Sequence, residues 1–342
     1  PGLATSKKQK ATTYKIGLKS LADDPTSKPE ASPVKLEQPL VNINYGNLSN
    51  REFYYYLVNN DLYPDVLLSA KQRVTRVITW AKWLNCLPFR DYSHQAFDSY
   101  IKSIYQHEVD TYKPVNNKPK LSKEAYVWGI EQFAPAILTD GSWLQGIQQL
   151  NFFTSHHIGA LLHKIYKDET GNGIVAQNHP HIYQDLLDSL AIKLPPIDSK
   201  DFCKHPGFLD SAFDIPVYLM AISKFPSTYL PELLGLNMAI EISGLGRLYL
   251  RLSEELKFWG INSAIVDVHT SIDNLATGHS SLAIKAIQAY LDDVSANFGE
   301  QQINADWRRI HTGFCSLRTA SLRFKFSLIR QHQNNRSSAK PN

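Results

Sequence analysis

The sequence predicts an all-α fold, and three observations carry that expectation. Apolar residues recur at three- and four-residue spacing over long stretches, strict apolar-polar alternation is almost absent, and clusters of Pro, Gly and Asn separate the periodic segments. The spacing predicts helices over 50 to 60, 64 to 86, 92 to 108, 122 to 138, 142 to 167, 180 to 192, 210 to 223, 231 to 258, 261 to 276, 280 to 297 and 303 to 330. The first three are rich in aromatics, with FYYYL at 53 to 57 and VITWAKWL at 77 to 84, and carry few concentrated titratable groups. They read as scaffold or as a dimer surface. Between the helices ending near 167 and starting near 180, Gly171, Asn172 and Gly173 form a turn, and Pro180 suits a helical first turn with Asn178 or His179 as its cap. No repeat of fixed period stands out.

The ends differ from the middle. Residues 1 to 45 are rich in Lys, Ser and Thr, contain prolines at 25, 29, 33 and 39, and read as a flexible arm. The stretch QHQNNRSSAKPN, 331 to 342, reads as a flexible tail. Composition is ordinary for a globular chain of 342 residues, 43% hydrophobic and 20% charged, with a formal charge of +4. Much of that charge lies in the arm, so a nucleic-acid surface is not expected. No run of 18 apolar residues is present, so no membrane association is expected, and a cytoplasmic location is. Cys86, Cys203 and Cys315 are too scattered for a disulfide framework or a zinc ribbon.

Histidines and carboxylates concentrate in three places. In PELLGLNMAIEISGLGRLYLRL, 231 to 252, Glu241 shares a helical face with Leu234, Met238, Leu245 and Leu248. A carboxylate on an apolar stripe needs a basic residue, a metal or a proton as its partner. In HTSIDNLATGH, 269 to 279, His269 and Asp273 are four apart and share one face. An intrahelical hydrogen bond would explain that pair equally well. His279 falls about 120° around an ideal helix from Asp273, so it joins them only if the helix breaks near Gly278. In YKDETGNGIVAQNHPHIYQDLL, 166 to 187, Glu169 and His179 flank the glycine turn, with His181 as an alternative ligand. All three could instead be surface polar groups. There is no HExxH, GxSxG or P-loop sequence, and GLGRL at 244 to 248 follows no strand.

Taken in order, the DGSWLQG segment, the DETGNG turn with NHPHIYQDLL, the PELLGLNMAIE helix and HTSIDNLATGH resemble the haem-oxygenase-like diiron oxidases and oxygenases, often labelled iron-containing redox enzymes. The resemblance covers about residues 138 to 297. It implies a haem-oxygenase-like helical bundle over 121 to 330, preceded by accessory helices over 46 to 120. It also implies six metal ligands, Glu169, His179, Glu241, His269, Asp273 and His279. In many members the last histidine follows the Asp by three positions, where this chain has Ala276, and His279 is the nearest substitute. The cofactor implied is Fe(II), two per chain, with O2 as co-substrate.

The resemblance thus implies an O2-dependent oxidoreductase acting on a small organic substrate, with an amino acid or amine as the expectation. N-oxygenation, desaturation and C–C cleavage are the reactions it implies. An external electron donor and a homodimer are the expected partners. The alternative is a helical binding or scaffold protein that keeps the fold without a full metal set, and a true haem oxygenase ranks behind both.

Overall fold

Local capping chemistry starts several of the helices. Ser49 opens α1 (Asn50–Val58): its hydroxyl accepts from the Glu52 amide while the Glu52 carboxylate accepts from the Ser49 amide. Ser93 and Ser122 likewise cap α3 (His94–Thr111) and α4 (Lys123–Ile137), and Asn178 caps α6 (His179–Ser189) through the His181 amide. Between them lie α2 (Val66–Trp83) and α5 (His156–Glu169). The order continues with α7 (Lys200–Lys204), α8 (Asp214–Ser223), α9 (Leu230–Gly244), α10 (Arg247–Phe258), α11 (Ala264–Ile272), α12 (His279–Phe298) and α13 (Glu300–Ser338). This computed structural model describes residues 43–115, 118–152, 156–244, 246–272 and 278–338, and among the described residues there is no strand.

The helix α9 is buried on nearly all sides, as a helix with apolar residues all round must be. It lies against α13, α12 and, through them, the rest of the bundle. Glycines set the α9–α13 approach: a Cβ on Gly235 would stand 1.7 Å from the Ile310 carbonyl oxygen, and one on Gly313 would stand 1.9 Å from that of Glu232. The helices α1 and α2 pack on α8, and α2 also on α13, so the stretch expected as accessory helices shares one core with the remainder. Phe53, Tyr54 and Phe97 are fully buried in it.

Three expectations need correction. The helix predicted over 142 to 167 is instead two 3-10 segments, Ser142–Leu144 and Ile147–Phe152, followed by α5. The reason is Gly146, whose Cβ position lies 1.8 Å from the Ser223 carbonyl oxygen at the end of α8, an approach that only glycine allows. The helix predicted over 231 to 258 is two, α9 and α10, separated at Gly244 and Gly246. Leu248 consequently leaves the apolar stripe and is 72% exposed. Finally, α13 runs on to Ser338, through most of the stretch read as a tail. The expected arm falls outside the described residues except for its last three, 43 to 45.

Candidate metal centre

Glu169 is the last residue of α5, and the chain turns sharply after it. Gly171 has φ +78°, and a Cβ there would meet the Asn178 amide nitrogen at 2.5 Å, so the turn closes tightly enough to set α6 beside the end of α5. His179, the first residue of α6, thereby faces Glu169, with Nδ1 2.6 Å from Oε2. The same Nδ1 lies 3.3 Å from Oδ2 of Asp140, which follows α4. Gly141, at φ +77°, lets that strand of chain pass over Glu169, since a Cβ there would stand 3.1 Å from the Glu169 Cβ.

The helix α11 brings His269 to the same place, its Nε2 3.4 Å from Asp140 Oδ2. Its other nitrogen, Nδ1, lies 2.6 Å from the Ile265 carbonyl oxygen one turn earlier. That contact makes Nδ1 the protonated nitrogen and leaves the Nε2 lone pair aimed at the carboxylates when the ring is neutral. One potential ligand atom from each of Asp140, Glu169, His179 and His269 lies within 4.8 Å of all the others.

A second group adjoins the first through Glu169. His279 opens α12 with Nδ1 3.3 Å from Glu169 Oε1 and 3.3 Å from Glu241 Oε2 of α9. Its Nε2 is 3.2 Å from Asp168 Oδ2, so an outer carboxylate holds the ring with Nδ1 turned inward. The ligand atoms of Glu169, Glu241 and His279 also fall within 4.8 Å of one another. The two oxygens of Glu169 therefore face opposite groups, Oε2 toward His179 and Oε1 toward His279.

Burial makes this charge pattern costly unless it is compensated. It would raise the carboxyl pKa of Asp140, yet hydrogen bonds with His179 and His269 hold it well below the usual range. Glu169 is also lowered: burial and the Asp140 charge work against ionisation, and His179 and His279 outweigh them. The imidazoles move the other way. Burial opposes charge on His179, but Asp140 and Glu169 push its pKa up to about 10. For His279, Glu169 and Glu241 overcome burial and push it up to about 11, and His269 is raised beside Asp140.

These residues fit a divalent metal. Among the described residues, all ion pairs of Asp140 and Glu169 are with imidazoles, none with Lys or Arg. Glu232, on the same helix as Glu241, shows the ordinary solution: its two oxygens receive Arg309 at 2.8 and 2.7 Å. Carboxylate and imidazole without a fixed cation is the donor set of first-row transition metals, iron included.

Of the six residues expected as ligands, Glu169, His179 and His269 come together with Asp140, and Glu169, Glu241 and His279 come together in the adjoining group. Asp273 lies outside the described residues, as does Ala276. The angular objection to His279 does not arise, because Gly278 is extended and His279 opens a new helix, α12. His181 is exposed on α6, 3.9 Å from Asp185, and stays apart from both groups. Sequence reasoning missed Asp140 and Asp168. Asp140 is the first residue of the DGSWLQG segment, so that segment itself was the available signal; Asp168 had none beyond its place next to Glu169.

A family model described as an iron-containing redox enzyme matches residues 127–313, more than half of the chain, a span that takes in both groups. No curated protein matches the chain.

Proposed function

The chain belongs to the iron-containing redox enzyme family, with an all-α haem-oxygenase-like fold, and from that premise we propose a nonhaem diiron oxidase or oxygenase that uses O2 on a small organic substrate. The observation that carries the proposal is Glu169, whose two oxygens belong to two adjoining groups of potential ligands. In this reading Asp140, His179 and His269 would hold one iron and Glu241 and His279 the other, with Glu169 available to both groups. Bound iron supplies the electrons and Lewis acidity that reaction with O2 requires.

The protein's own part is to fix and shield the ligands. The Ile265 carbonyl orients His269, and Asp168 orients His279. Glu169, Glu241, His179 and His279 are at most 2% exposed along their side chains, which excludes water from most of the centre. Asp140 is the edge through which a substrate reaches it, as a lining residue of a neighbouring cavity. The proposal extends to an external electron donor, a cytoplasmic location and a homodimer. No described helix is long and apolar enough to cross a membrane. Trp80 and Trp83, exposed on α2, are available for a dimer contact.

The test is anaerobic Fe(II) loading with metal quantitation, followed by O2 uptake after mixing. Two irons per chain and rapid O2 consumption are expected. A stoichiometry of one or none would remove the diiron reading.

A further inference from the structure

A cavity of about 220 Å³ opens beside the candidate metal centre, and Asp140 lines it. The cavity's lining also carries a cation, Lys224, which follows α8. Its ammonium donates to Gln145 Oε1 at 3.1 Å, and among the described residues no carboxylate lies within 4.0 Å of it. Burial lowers the pKa of Lys224, with only a longer-range attraction to Asp61 opposing the effect. A half-buried ammonium with hydrogen-bond capacity to spare is an anion site in waiting.

Ser142 adds a second donor. It also lines the cavity, and its hydroxyl oxygen is buried with no hydrogen-bond partner, a costly state for a polar atom away from water. Ser142 opens a short 3-10 segment two residues beyond Asp140, and Gln145 is the residue that ends it. That segment is locked to Lys224 by the close approach of Gly146 to the Ser223 carbonyl. One short stretch of chain thus joins the metal-side carboxylate to Ser142 and to Gln145, the partner of Lys224. Apolar side chains, Met220 and Ile197 among them, complete the lining together with the polar Asn60, Thr139, Tyr166 and Thr170.

We propose that this cavity binds a small organic carboxylate, its anionic end held by Lys224 and Ser142 and its chain directed toward Asp140. The anionic end is assigned by charge: Lys224 attracts a carboxylate, while Asp140 is already paired with His179 and His269. A simple amine would meet Lys224 as a like charge, so of the expected amine and amino-acid substrates the cavity selects those with a carboxylate. The volume is that of about seven water molecules, which limits the ligand to a small one. That such a ligand is the substrate rests on the metal-centre reading; that the cavity binds it does not.

The experiment is isothermal calorimetry of the full chain, with Fe(II) under anaerobic conditions and without metal, against hexanoate, hexylamine and 1-hexanol. Hexanoate is expected to bind at least about tenfold more tightly than the other two, the magnitude of one charge-assisted hydrogen bond. Lys224→Met should abolish that preference, Lys224→Arg should keep it, and Ser142→Ala should weaken hexanoate alone, all with unchanged iron content. Hexanoate binding that survives Lys224→Met, or no preference in the parent protein, overturns the proposal. Should iron fail to load, the metal-centre reading fails by itself, and the Lys224 dependence in the metal-free chain still decides the carboxylate site.

Discussion

Metal binding and protons should compete for the same imidazoles, and the competition fixes a sign that can be tested. Without metal, His179 and His279 are held protonated by Glu169, Asp140 and Glu241, with pKa values pushed up to about 10 and about 11. Their unfolded reference is near 6.5. A pKa raised on folding contributes stability that is complete below the unfolded value and is lost as pH rises through the folded one. The metal-free protein should therefore lose stability from pH 6.5 upward, each imidazole contributing a slope of at most about 1.4 kcal/mol per pH unit. Asp140 and Glu169, lowered on folding, contribute stability above the ordinary carboxylate range and lose it as pH falls. The two sets overlap between roughly pH 4.5 and 6.5, which places the metal-free optimum there. A metal needs neutral imidazoles, so its binding near pH 7 should release about two protons, and its apparent affinity should rise with pH. His269, also raised, adds to that release. The assay is calorimetric titration with Zn(II), a redox-silent probe, in two buffers of different ionisation heat, paired with thermal unfolding at pH 6, 7.5 and 9. The metal-free midpoint should fall over that range while the advantage of the loaded protein grows. Metal binding without proton release, or a metal-free midpoint that does not fall between pH 6 and 9, would refute the assignment of these imidazoles.

Three further outcomes follow from the geometry. Glu169→Ala should abolish both metal equivalents, whereas Asp140→Ala and Glu241→Ala should each spare one, as read by metal quantitation after Fe(II) loading. Asp168→Ala should weaken metal binding at the His279 side by about 10- to 100-fold while leaving the other equivalent in place, which a two-site titration resolves. Gly313→Ala should lower the unfolding free energy by about 1–3 kcal/mol or more, because its Cβ meets the Glu232 backbone at 1.9 Å rather than a side chain that could move; an unchanged denaturation midpoint would contradict the α9–α13 packing.

What the sequence made legible is local. Serine and asparagine caps, the glycine turn after Glu169 and the helical period are properties of a few neighbouring residues, so α1, α4, α6 and α12 fall close to their predicted ranges. The errors arise where a distant contact overrides the local signal. Leu144, Ile147 and Leu150 continue an apolar period through a stretch that is 3-10 because Gly146 must press against Ser223. The site follows the same division. Glu169 and His179 stood out by flanking a turn, while Asp140 was hidden in DGSWLQG, since a lone Asp before a glycine has many commoner uses.

The two buried carboxylates of α9 show why the partner, rather than the residue, decides between structure and chemistry. Glu232 and Glu241 lie on one helix, both nearly inaccessible, and sequence reasoning for either has to choose between a basic residue and a metal. Glu232 meets Arg309, a permanent cation in a bidentate grip, and that pair helps hold α13 to α9. Glu241 meets His279, whose charge is conditional: under the proposed function the imidazole would give up its proton to a metal held between them. A permanent cation such as Arg309 closes a carboxylate to a metal, whereas an imidazole can give way to one. The choice is made by α13 and α12, which lie far along the chain from α9, and so it could not be read from the helix alone. By the same logic, Glu241→Gln should weaken metal binding while leaving the metal-free fold nearly intact at neutral pH, since His279 keeps Glu169 and Asp168 beside it. Glu232→Gln should do the reverse, lowering the thermal midpoint with metal content preserved. Equal effects of both substitutions on metal content would mean that the two carboxylates do not divide their roles in this way.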